Sequence, residues 1–148
     1  MDSPTTQLFT ARDGRTLDVL VGGDVSSKTA LVCHHGTPSD ATIWNDWHMD
    51  ALQNELQLIS VSRPGYASSE RKPNRSVSCA AADVEDVLDA LGVEKFLVIG
   101  WSGGGPHALA CAALLPERCI AASVLLSLIH ISEPTRRYAI GCSVLWVE

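Results

Sequence analysis

The stretch Phe96 to Leu115 restricts the fold more than any other. An apolar run, Phe96-Leu97-Val98-Ile99, leads into Gly100-Trp101-Ser102-Gly103-Gly104, and a helix-like segment from Pro106 to Leu115 follows with almost no loop between. Where a strand reverses directly into a helix, the two backbones cross closely and side chains at the crossing collide. Gly100 and Gly104 stand two residues before and two after Ser102, the positions where a turn of this kind is tightest. The serine is thereby left on a strained turn with its hydroxyl above the edge of the sheet. The helix that begins just after it directs N–H groups and its positive end at whatever the hydroxyl approaches, which favours developing negative charge there. G-x-S-x-G alone is a short pattern of common residues and also fits a glycine-rich turn without chemistry. Neither G-x-x-x-x-G-K-[ST] nor G-x-G-x-x-G fits, and no lysine follows the glycines, so a phosphate cradle is disfavoured.

Around this stretch, apolar strands alternate with helical patterns. Leu8 to Ala11 and Thr16 to Val21 flank Arg12-Asp13-Gly14-Arg15, a hairpin signal. Ala30 to Cys33 predicts a strand buried on both faces. It leaves through His34-His35-Gly36-Thr37-Pro38, where Gly36 permits an unusual turn and Pro38 fixes the next φ, so that the Thr37 N–H can be held out as a hydrogen-bond donor to an oxyanion. The histidine pair does not read as a metal site, because adjacent strand residues face opposite ways and no further ligand lies at a suitable spacing. Trp44, Trp47, Ala51 and Leu52 form an apolar helical stripe, with His48 at its edge in a packing role. Leu58 to Val61 predicts a strand that empties into the turn-rich loop Ser62 to Ser69. Val77, Ala80, Ala81, Val84, Val87, Leu88 and Leu91 predict an amphipathic helix with Ser76 as N-cap and Gly92 as terminator. Asp83, Glu85, Asp86 and Asp89 on its other side read as a solvated face. His107 lies five residues beyond Ser102, out of helical phase with it. Ile120 to Leu125 predicts one more buried strand. This pattern is that of an α/β fold: an N-terminal hairpin followed by a mainly parallel sheet with flanking helices, whose ligands bind at the carboxyl ends of the strands.

Composition narrows the function classes. Of 148 residues, 46% are hydrophobic and 19% charged, within the range of one globular domain. The net charge of −6 and the scattered basic residues disfavour nucleic acid or an anionic membrane surface as partner. The N-terminus has no signal-peptide pattern and no apolar run reaches membrane-spanning length. Five cysteines without a C-x-x-C pair read as free thiols of a cytoplasmic protein.

The hairpin, His35-Gly36-Thr37-Pro38, Arg63-Pro64-Gly65-Tyr66 and Gly100-Trp101-Ser102-Gly103-Gly104 occur in an order that resembles the α/β-hydrolase fold family, over roughly Leu8 to Leu125. Gly100 to Pro116 is similar in particular to esterase, proline-iminopeptidase-like and cofactor-free haloperoxidase-like members. The resemblance implies that Ser102 is a nucleophile, that the backbone N–H groups of Thr37 and Gly103 form an oxyanion hole with Gly36, Gly100 and Gly104 as supporting turn residues, and that a small-molecule acyl substrate is hydrolysed with no cofactor and no metal. The donors being backbone groups, the Thr37 side chain is expected to matter little. A non-catalytic ligand-binding relative and a haloperoxidase or perhydrolase are the alternatives. Two residues depart from the usual Asp-Arg-Pro-Gly-Tyr-Gly of the loop: Ser62 and Ala67 take its first and last places.

In this family the acid and histidine of the triad follow the serine. Downstream here are only Glu117, Glu133, Glu148, His107 and His130, none in a family-like context. Residues 1–125 are therefore expected to be the N-terminal part of a single truncated α/β-hydrolase domain, lacking the acid and the histidine. Leu126 to Arg136 resembles the in-frame translation of a transposase-type sequencing-library adapter, so residues 126–148 are expected to be a non-native tail. On that reading the edge of the Ile120–Leu125 strand is left open, and Glu133 to Glu148 is loosely attached.

Overall fold

The computed structural model of the chain describes residues 3–127 and 140–146. Seven strands form one mixed sheet in the order β1-β2-β4-β3-β5-β6-β7. β1 (Thr5–Thr10) and β2 (Thr16–Gly23) form the hairpin expected around Asp13-Gly14, with Gly14 at φ +88° in the turn. β2 runs antiparallel to β4 (Gln57–Val61), while β4, β3 (Thr29–His34), β5 (Lys95–Trp101) and β6 (Cys119–Ser127) are mutually parallel. β3 lies between β4 and β5, and its register sets His34 opposite Gly100. The loops leaving β3 and β5 therefore emerge side by side at the carboxyl edge, which is what brings residues 35–38 next to residues 101–104.

Period-two alternation divides the core. Val32, Ile59 and Val98 face one side, where they pack with α2 (Cys79–Ala90) through Val84, Val87 and Leu88 and with α3 (Gly105–Leu114) through Ala108, Cys111 and Ala112. Their neighbours Cys33, Leu58 and Ile99 face the other side, against Trp44 and the Ala51 of α1 (His48–Gln53). α2 ends as its sequence predicts: Gly92 takes φ +67°, its N–H donates to the Asp89 carbonyl at 3.2 Å, and the Val93 N–H donates to Leu88 at 2.9 Å. Among the described residues no helix is long and apolar enough to cross a membrane.

Four expectations need correction. The tryptophan stripe is not one α-helix. Asp40 caps a 3-10 turn over Ala41–Trp47 by accepting from the Thr42 N–H at 2.8 Å, and only then does short α1 begin. Ser76 is not the N-cap of α2: its hydroxyl pairs with Ser78 at 2.6 Å, residues 76–78 are spent in turns, and the helix starts at Cys79. The acidic face of α2 is not simply solvated. Arg12 meets Glu85 and Asp86, Arg118 meets Asp89, and Arg15 meets the buried Asp83 at 2.6 Å. Finally, β6 does not present an open edge, because β7 (Ile140–Trp146) pairs with it antiparallel from Ala121↔Trp146 to Ser127↔Ile140. The segment from Ile140 to Trp146 is thus attached by a full ladder, while Glu133, His130 and Glu148 lie outside the described residues.

Two stability predictions follow from these contacts. Burial pushes the Asp83 carboxyl up from its ordinary range, against the pull of Arg15. Arg15→Met strands that carboxylate and should cost about 3 kcal/mol in urea unfolding; a loss under about 1 kcal/mol, the size of a surface pair, would contradict the assignment. Ala67, the departure from the family's glycine, sits in the β4–α2 loop at φ +46°, a left-handed conformation that strains any residue with a Cβ. Ala67→Gly should therefore raise the unfolding free energy by about 1 kcal/mol, and an unchanged or lowered value would show that the strain is not there.

Candidate functional site

Ser102 is the first residue of a one-turn 3-10 segment, Ser102–Gly104, that joins β5 to α3. Its φ of +50° is left-handed, the strain anticipated for a serine squeezed between strand and helix. The flanking glycines account for the squeeze. A Cβ on Gly100 would lie 2.4 Å from the Gly104 carbonyl oxygen, and one on Gly104 would lie 2.3 Å from the His34 carbonyl oxygen. Both contacts are with backbone, so nothing flexible can give way. Gly36 is likewise pressed against the site, a Cβ there coming within 2.9 Å of the Trp101 ring and 3.4 Å of the Ser102 Cβ.

The β3 and β5 loops meet at Thr37 and Gly103. The Thr37 backbone nitrogen is 3.6 Å from where a Gly103 Cβ would be. Its N–H donates to no acceptor among the described residues. The peptide oxygen on the other side of the same Gly36–Thr37 unit is, by contrast, heavily engaged. The Gly36 carbonyl accepts from Arg63 Nη2 at 3.1 Å and Ser39 Oγ at 3.0 Å, and His35 Nδ1 lies 2.8 Å away.

Arg63 is the residue that sequence reasoning undervalued. Its guanidinium is buried under the β3 loop and also donates to the His35 carbonyl and, at 2.9 Å, to Thr37 Oγ1. Its backbone N–H donates to His35 Nε2 at 3.0 Å. The loop carrying it is anchored in turn. Ser69 Oγ donates to the Ser62 carbonyl at 2.6 Å and accepts from the Asp18 N–H at 2.9 Å, while the Asp18 carboxylate accepts from the Ser68 N–H. Ser62, the other departure from the family pattern, uses its hydroxyl to accept from the Ala41 N–H at 3.1 Å. The available signal was the Arg63-Pro64-Gly65-Tyr66 motif; its contact with residues 35–37 is purely tertiary. The Thr37 side chain also has more to do than expected, since it takes the Arg63 bond and its hydroxyl, followed by the Arg63 charge, pulls the Tyr66 phenol below its usual pKa.

The histidines divide as strand geometry requires. His34 points to α3, its Nε2 3.4 Å from Cys111 Sγ, with a buried Nδ1 that has no partner. Burial lowers its pKa to about 3 and raises the Cys111 thiol to about 12, so both are neutral and unreactive near pH 7. His35 lies at about 4, pushed down by burial and then by Arg63. His107, also at about 4 through burial and Arg63, has its Nδ1 3.0 Å from the Gly103 carbonyl rather than on Ser102. His48 is buried, accepting from the Gly23 N–H at 2.9 Å, far from this edge in role. Thr37, Gly103, Arg63, Tyr66, Arg75 and His107 share an open cleft of about 320 Å³ whose lining contains two arginines and no carboxylate, so its field is positive. Ser102 has no hydrogen-bonded base among the described residues.

Comparison with known proteins identifies the family. The family model for the alpha/beta hydrolase fold matches residues 29–136, which holds both the β3 loop and the Ser102 turn. The 3-oxoadipate enol-lactonase 1 of Acinetobacter baylyi is 30% identical over 102 residues, covering 69% of this chain and 38% of that protein. A 2-hydroxy-6-oxononadienedioate/2-hydroxy-6-oxononatrienedioate hydrolase of Burkholderia vietnamiensis is 34% identical over 116 residues, covering 72% and 38%. Among solved structures, the epoxide hydrolase CorEH superposes with a TM-score of 0.72 at 21% identity, over 90% of this chain and 47% of that one. The chain thus spans about two-fifths of the length of the curated relatives it matches. Strand order, the glycine-walled serine turn and the matched sequence lead to one assignment: the chain belongs to the alpha/beta hydrolase fold family.

Proposed function

We propose that this chain carries the nucleophile and oxyanion hole of a serine hydrolase acting on a small acyl substrate. Ser102 Oγ attacks the carbonyl carbon of an ester, amide or related bond, the carbonyl oxygen becomes an oxyanion, and the N–H groups of Thr37 and Gly103 stabilise it. Water then releases the acyl group from the serine. The observation that carries the reading is the left-handed Ser102 beside an N–H, that of Thr37, which has no acceptor among the described residues. Serine is a weak nucleophile at neutral pH and needs a base within hydrogen-bonding reach. His107 Nδ1 is engaged by the Gly103 carbonyl, and among the described residues no base is set against Ser102; on this reading the acid and histidine of the triad are absent from this chain. Residues 126–148 are, on the same reading, a non-native tail, adapter-derived over Leu126 to Arg136, and sequencing of the genomic locus across codon 125 decides this. The free thiols Cys33, Cys111 and Cys119 support a cytoplasmic setting.

In the complete protein, Ser102→Ala should lower kcat/KM for a nitrophenyl ester by at least about 10⁴-fold while leaving the melting temperature intact. Residues 1–148 alone should show no turnover above the Ser102→Ala control. A complete protein indifferent to Ser102→Ala refutes the nucleophile, and Ser102-dependent turnover by residues 1–148 refutes the external base.

A further inference from the structure

The oxyanion reading requires the Thr37 N–H to face the Ser102 side, yet a peptide beside a glycine flips easily. We infer that Arg63 is a positioning residue whose side chain and main chain, acting with His35 and Ser39, lock the Gly36–Thr37 peptide in the orientation that presents the Thr37 N–H. The inference rests on the hydrolase reading for its purpose, but its geometry stands alone.

In a trans peptide the C=O and N–H point in opposite directions. The Gly36–Thr37 bond is trans, the Thr37–Pro38 bond being the cis one. Whatever fixes the Gly36 oxygen therefore fixes the Thr37 N–H the opposite way. Three donors converge on that oxygen: Arg63 Nη2 at 3.1 Å, Ser39 Oγ at 3.0 Å and His35 Nδ1 at 2.8 Å. The direction of the histidine bond follows from its other nitrogen. A backbone N–H only donates, so the Arg63 N–H makes His35 Nε2 an acceptor; neutral His35 then carries its proton on Nδ1 and donates it to Gly36. A flipped peptide would turn its N–H toward these three donors and leave a buried guanidinium, an imidazole N–H and a hydroxyl without their acceptor, a cost that grows with each unsatisfied group. Arg63 also holds the residues on either side, through the His35 carbonyl and Thr37 Oγ1. The guanidinium fork suits this task because it reaches several oxygens at once in a fixed plane, which an ammonium does not.

The test uses ¹⁵N-labelled protein. In the wild type, the His35 ring shows a protonated Nδ1 and a bare Nε2 at neutral pH, and Thr37 gives one amide resonance. Arg63→Met should broaden or double the Thr37 amide signal while amides of the β3 and β5 strands stay in place, and Arg63→Lys should restore a single signal only in part. Ser39→Ala, a milder change that does not touch the buried cation, should shift the Thr37 amide with the strands unmoved. An Nε2-protonated His35, or a Thr37 amide unchanged in the Ser39 variant and in any folded Arg63 variant, overturns the inference. In a protein that turns over, Arg63→Met should lower kcat about 10²-fold at unchanged KM, the scale of one lost oxyanion donor. Absence of Ser102-dependent hydrolysis refutes the hydrolase reading alone, and the spectra decide the lock in either case.

Discussion

The carboxyl edge of this sheet depends on one close crossing, in which the start of α3 passes over β5 and against β3 with backbone touching backbone. Gly104 has no Cβ because the His34 carbonyl fills that place, and Gly100 has none because the Gly104 carbonyl fills its own. Once those contacts are made, Ser102 has no relaxed conformation left and takes φ +50°. The strain is held by the packing of α3 on the sheet through Ala108, Cys111 and Ala112, all buried. Burial of apolar surface beneath the turn thus supports a local backbone cost above it, a division common where reactive side chains are presented.

Beside this crossing the chain solves a second problem, how to bury a cation without a carboxylate. Arg63 is enclosed by the carbonyls of His35 and Gly36 and by Thr37 Oγ1. Peptide dipoles replace the hydration that the guanidinium gives up. The arrangement orders the loop after β3 and leaves a positive field in the cleft shared with Gly103; burial first, and then the Arg63 charge, holds the neighbouring imidazoles of His35 and His107 neutral. A developing negative charge on a substrate oxygen would meet preorganised donors there rather than water.

How much of this was legible in the sequence depended on the range of the interaction. Gly14, Gly92, Gly100 and Gly104 mark turns or crossings set within a few residues, and the structure uses each of them that way. The α/β alternation and the two strand exits were likewise local signals. The start of α2 was misplaced because two serines two residues apart, Ser76 and Ser78, offer rival caps, and the hydroxyl pairing of Ser76 with Ser78 decided the matter. The acidic face of α2 looked solvated because its partners, Arg12 and Arg15, lie about seventy positions away in the hairpin. Arg63 was visible only as part of a loop motif, since its acceptors are carbonyls, which leave no trace in side-chain chemistry. β7 was unexpected because residues 126–148 read as a non-native tail, yet Ile140 to Trp146 has enough strand character to pair along β6.

The central claim is that Ser102 is a nucleophile presented by this crossing beside a preoriented Thr37 N–H. It is tested most directly by treating the complete protein with a fluorophosphonate and mapping the adduct by peptide mass spectrometry. The account predicts one stoichiometric adduct, on Ser102, lost on unfolding the protein before treatment. Modification elsewhere with Ser102 untouched, or none at all in a protein that binds the probe, would contradict it.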